Sequence, residues 1–107
     1  MNDMIQDIDN ILRDLKCKLQ NKYKDFVGLY LYGSYAKGTA TNNSDVDVVA
    51  LFNNEVTRKE KYSIYDILME LEYKLDILID FHPMSIKELQ NNPLYFSEVT
   101  NNGVFYE

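Results

Sequence analysis

Asp45 and Asp47 stand two residues apart in DVDVVALF (45–52), a run that is otherwise apolar. On a strand, residues at that spacing share one face about 6.6 Å apart. Both carboxylates can then reach a hard cation lying between or above them. Magnesium suits such a pair, because it takes oxygen ligands and binds through one or two carboxylates plus substrate phosphates. Aspartate is a poor strand former, so two of them among valines oppose the local propensity. Such local conflicts tend to mark functional sites. The solvent face of an edge strand would carry the same alternation, so the pair needs other groups beside it to read as chemistry.

Those groups come from two further stretches. In KLDILIDF (74–81), clean alternation predicts a strand with Leu75, Ile77, Ile79 and Phe81 on its buried face. Asp76, Leu78 and Asp80 then take the other face. If this strand neighbours 45–52, about 4.8 Å separates them laterally. Three carboxylates could converge on one or two metal ions, as in two-metal displacement at phosphorus. Asp76 and Asp80 share a face, so spacing alone does not choose between them. The second stretch is GSYAKGTATNNS (33–44). Gly33 and Gly38 would let the backbone approach phosphate oxygens, and successive N–H groups can form an anion-binding nest. Ser34 adds a hydroxyl donor, and Lys37 adds a point charge near the phosphates. Ser44, just before Asp45, could orient the loop or the carboxylate. The Gly-Lys-Ser/Thr ending of a Walker loop is missing.

These groups need a scaffold, and the rest of the chain supplies one. Met4, Ile5, Ile8, Ile11, Leu12, Leu15 and Leu19 recur at spacings of three and four, which predicts an amphipathic helix over 3–24. FVGLYLY (26–32) is β-branched and aromatic, a mostly buried strand that Gly33 ends. A second helix starts near Thr57, with Ile64, Ile67, Leu68 and Leu71 as its stripe. Pro83 is expected to stop the third strand. A short helix should follow Ser85, which has Glu88 at the capping-box spacing. Another should follow Asn92–Pro93 and end at Gly103. Residues 104–107 could add an edge strand. The fold class is α/β (α+β), a small mixed sheet with helices packed on one face.

The 107 residues suggest one domain, 1–107, and no repeat or linker interrupts them. A single cysteine, Cys17, excludes an intramolecular disulfide and reads as a packing or surface residue. The start carries acids and no long apolar run, so neither a signal peptide nor a membrane span is expected, and the default compartment is the cytoplasm. The net charge is −6, and the richest basic stretch, TRKEK (57–61), includes an acid. A long nucleic-acid substrate is disfavoured, since its phosphates need basic patches. A nucleotide arriving with magnesium is less restricted. His82, the only histidine, reads as a loop or packing residue. The nine tyrosines read first as amphipathic core edges, though exposed ones would suit a partner surface.

Taken together, GSYAKGTATNNSDVDVV (33–49) resembles the signature of the nucleotidyltransferase superfamily that includes DNA polymerase β. That signature is a strand, Gly-Ser, a loop, then Asp-hydrophobic-Asp on the next strand. The Gly-Ser-x-Ala-x-Gly and Ser-Asp-x-Asp pieces resemble its minimal nucleotidyltransferase (MNT) branch. The resemblance covers nearly the whole chain, including an end similar to NNGVFYE. It implies a polymerase β-like nucleotidyltransferase fold.

The resemblance also implies roles. Gly33 and Ser34 match the pair that holds nucleotide phosphates, with Lys37, Gly38 and Ser44 completing the loop. Asp45 and Asp47 match the metal-binding carboxylates. Asp76, in LDI, best matches the third, with Asp80 as the fallback. Relatives frequently carry arginine where this chain has Lys37, so the charge stays and the planar fork is lost. The implied reaction moves NMP from an NTP, with ATP the family expectation, to a hydroxyl with two Mg²⁺ ions. The acceptor is expected to come with a partner: MNT proteins often pair with a HEPN-domain ribonuclease toxin and act as antitoxin by adding AMP to its tyrosine. A non-catalytic antitoxin that masks its partner, and a subunit of a small-molecule (antibiotic) nucleotidyltransferase, are the alternatives. Homo-oligomerisation is left open.

Overall fold

The computed structural model describes residues 2–41 and 43–107, with side chains from residue 7 onward. Helix α1 (Asn2–Lys22) leads into strand β1 (Phe26–Tyr32), a single helical turn α2 (Ser34–Lys37) and strand β2 (Val46–Phe52). Helix α3 (Arg58–Leu75) then crosses to strand β3 (Ile79–Ser85), followed by α4 (Ile86–Gln90), α5 (Pro93–Asn102) and strand β4 (Val104–Tyr106). The sheet order is β3-β2-β1-β4. β1 pairs antiparallel with β2 and β4, and β2 pairs parallel with β3. A parallel pair needs a crossover, and α3 provides it.

Alternation along the strands creates two cores. Leu29, Leu31, Val48, Ala50, Phe52, Ile79 and Phe81 meet α1 and α3 on one face. From α1 come Ile8, Leu12, Leu15 and Leu19, and from α3 Ile64, Leu68 and Leu71, all at helical spacing. Met4 and Ile5 of the expected stripe lie outside the described side chains. On the opposite face, Tyr32, Val49 and Leu51 pack against Leu89 of α4 and Val99 of α5. Helices therefore cover both faces, which corrects the one-face expectation. The two C-terminal helices are short, but each buries one aliphatic side chain on the second face.

The helix starts follow their caps. Thr57 and Glu60 form a reciprocal capping box at α3, and Ser85 and Glu88 form another at α4. Asn92 accepts from Tyr95 N and precedes Pro93 at the start of α5.

The third strand departs from the expectation over 74–81. It begins at Ile79 and runs through Pro83 to Ser85. Leu75 still belongs to α3, whose C-cap is Asp76 in the left-handed conformation, φ 53° and ψ 48°. The Ile79 N–H donates to Glu72 Oε2 at 2.8 Å, which fixes the chain where it leaves the helix. Pro83 does not stop the strand because β3 is an edge, where a missing N–H is tolerated.

Candidate active site

Tyr32, Asp47 and Asp80 stand in one row across three strands. The β1–β2 register sets Tyr32 opposite Asp47, and the β2–β3 register sets Asp47 opposite Asp80. Directly paired residues project from the same face, here the face carrying α4 and α5. The two carboxyl groups come within hydrogen-bonding reach of each other. Asp47 is half-buried and Asp80 is exposed. Burial pushes the Asp47 carboxyl above its ordinary value, and the negative charges of Asp80 and Asp45 push it the same way. The His82 ring opposes that shift. His82 Nε2 lies 3.1 Å from Asp80 Oδ1. His82 is thus a strand residue beside Asp80, which corrects its placement in a loop.

The Gly-Ser bend lies against this row. Gly33 has φ 74° and ψ −151°, a conformation almost confined to glycine. A Cβ built on Gly33 would fall 2.1 Å from Asp47 Oδ2. Only glycine lets the backbone between β1 and α2 run this close to that carboxylate. Ser34 opens α2, and Gly38 closes it in the left-handed conformation. Lys37 Nζ meets Glu98 Oε1 at 2.9 Å, which holds the Glu98 carboxyl below its usual value. Ser44 Oγ accepts from Thr41 N at 2.9 Å, so Ser44 shapes the 41–44 turn.

Asp76 lies apart from the row. It lines a recess of about 510 Å³ with Ser44, Asp45, Glu72, Tyr73 and Leu78. Of the two candidates for the third carboxylate, Asp80 is the one beside Asp47. Asp45, just before β2, borders both the row and the recess.

The family model described as "Nucleotidyltransferase domain" matches residues 12–106. The chain belongs to the nucleotidyltransferase family. This nucleotidyltransferase is 31% identical over 108 residues to a Methanocaldococcus jannaschii protein named "Putative protein adenylyltransferase MJ1305"; the match covers 94% of this chain and 72% of that protein. A solved toxin–antitoxin with AMP-PNP shares the fold at a TM-score of 0.64 and 23% identity, over 90% of this chain and 69% of that one. So does a structure of a tri-AMPylated Shewanella oneidensis HEPN toxin in complex with MNT antitoxin, at a TM-score of 0.51 and 18% identity, over 98% and 71% of the two chains.

The donor set of the nucleotidyltransferase suits magnesium. Asp45, Asp47 and Asp80 offer only oxygen, and Asp80 and Asp45 set negative charge beside the partly buried Asp47 carboxyl. Among the described residues no three His, Cys, Asp or Glu side chains gather closely enough to hold a metal ion by themselves. Magnesium can bind through one or two carboxylates, with water and phosphates completing its shell.

Three neighbours of the row carried no signal in their own spacing. Tyr95 of α5 sets its hydroxyl 2.8 Å from that of Tyr32, with the rings edge to face. Its ring also meets the His82 ring edge to face at 6.5 Å. Glu98, which holds Lys37, lies on the same helix. Tyr32 was readable in principle, because pairing 26–32 with 45–52 places it across from Asp47. Tyr95 and Glu98 come from a remote helix, and no local pattern announces them.

Proposed function

We propose that this nucleotidyltransferase transfers AMP from ATP to a hydroxyl on a partner protein. Asp47 and Asp80, with Asp45 beside them, would hold Mg²⁺, and Gly33 and Ser34 would receive the phosphates. The observation that carries this reading is the in-register carboxylate pair, with Asp47 lying where a side chain on Gly33 would have to go. Bound there, magnesium would offset triphosphate charge and stabilise charge developing on the reacting phosphoryl group. The chain's own residues bind and orient. The Gly33 bend brings main chain to the phosphates, His82 orients the Asp80 carboxylate, and Lys37, at the end of α2, is held by Glu98. The acceptor oxygen bonds to the α-phosphorus, pyrophosphate leaves, and the hydroxyl proton passes to water.

A tyrosine of a HEPN-domain toxin is the acceptor this reading favours, and the chain would act as its antitoxin. Support comes from the 31% identity to a protein named for protein adenylylation and from the fold shared with toxin–antitoxin structures. The test is co-expression with a candidate HEPN-domain partner, followed by [α-³²P]ATP and Mg²⁺. Labelled AMP should appear on a partner tyrosine. Asp47→Asn and Asp80→Asn should each cut labelling by about 10²-fold or more, the scale for losing one group that stabilises developing charge. An unlabelled partner that stays neutralised by both variants would replace catalysis with steric masking.

A further inference from the structure

We infer that Tyr95 is the positioning residue of the carboxylate pair. It touches both flanks of the row at once. Its hydroxyl bonds that of Tyr32 at 2.8 Å, and Tyr32 stands in register beside Asp47. Its ring lies edge to face with His82, and His82 Nε2 reaches Asp80 Oδ1 at 3.1 Å. One side chain from α5 thereby fixes the neighbour of each carboxylate. The β-strand register alone does not limit how far the Asp80 side chain swings on its edge strand.

Groups that hold metal ligands in place set metal affinity, and their loss typically costs about 10–100-fold. Tyr95 is assigned that task for the divalent cation of this site. The assignment rests on Asp47 and Asp80 as cation ligands, the reading proposed above.

A pair of hydroxyls allows a test that separates positioning from mere stability. Tyr95→Phe leaves the half-buried Tyr32 hydroxyl without its partner, and so should lower the melting temperature. Tyr32→Phe/Tyr95→Phe removes both hydroxyls, which can restore stability, because neither polar group is then left unmatched. The readout is the Mg²⁺ concentration giving half the maximal thermal shift at fixed α,β-methylene-ATP, an analogue that cannot donate AMP. The double variant should melt close to wild type yet need about tenfold more Mg²⁺. A double variant with wild-type Mg²⁺ dependence would overturn the inference. Asp47→Asn is the control for the underlying reading. If it keeps the wild-type Mg²⁺ dependence, the carboxylates are not the cation site. If it loses the shift while the double variant is unaffected, only the role of Tyr95 fails.

Discussion

Asp47 is held at a cost to the fold. Its carboxyl is partly buried, faces Asp80 in register and has Asp45 two residues away, so its pKa is raised. A raised carboxyl binds its proton more tightly in the folded chain than in the unfolded one. Ionised at neutral pH, it therefore destabilises the native state, and that penalty is relieved as pH falls through the raised value. Relief is complete below the ordinary value of 3.8. Asp47→Asn should thus raise the melting temperature of metal-free protein at neutral pH. The gain should shrink steadily on acidification. Melts of both proteins in EDTA across the acid-to-neutral range check this, and a pH-independent difference would contradict it. Sacrificing stability at a residue that a cation would relieve is the pattern expected of a functional site. Two acids in a valine strand already carried that message, and Gly33 named the backbone that adjoins them. Which of Asp76 and Asp80 adjoins Asp47 was not legible, because it depends on where α3 ends.

That helix end explains the one misplaced element. Leu71 and Leu75 continue the α3 stripe, while Leu75, Ile77, Ile79 and Phe81 alternate like a strand, so the same residues satisfy both periods. Glycine would have flagged the stop. Here Asp76 makes the left-handed C-cap instead, with its N–H on Glu72 O. Aspartate tolerates that conformation better than most residues but less well than glycine. Asp76→Gly should leave the chain as stable or slightly more so, whereas Asp76→Val should cost about 1–2 kcal/mol. Urea unfolding of the two variants measures the difference, and equal stabilities would mean the cap does not set the helix end. The elements read correctly had unambiguous grammar: β-branched runs for β1 and β2, capping boxes at Thr57 and Ser85, and Asn-Pro before α5. Covering the second face was beyond that grammar. Leu89 and Val99 are single buried side chains in short helices, too few to show a stripe.

Charge ties the site to the rest of the molecule. The chain carries a net −6, and several of its cations are already engaged. Arg13 pairs with Asp9, Lys18 with Asp14, and Lys37, the lysine nearest the bend, with Glu98. A bare triphosphate would meet Asp47 and Asp80 with little to offset it. ATP in EDTA should accordingly produce no thermal shift, and ATP with Mg²⁺ should produce a clear one. At a hundred times its Kd a ligand adds about 2.7 kcal/mol, on the order of 10 °C here. Monovalent salt should not replace the ion. Salt at physiological strength screens charges beyond about 8 Å, whereas carboxylate and phosphate oxygens would meet at contact distance. A shift with ATP alone, or one recovered by sodium chloride, would mean that the nucleotide avoids the carboxylate pair. Its phosphates would then lie away from the acidic row, and the Gly33 bend would serve only to accommodate Asp47.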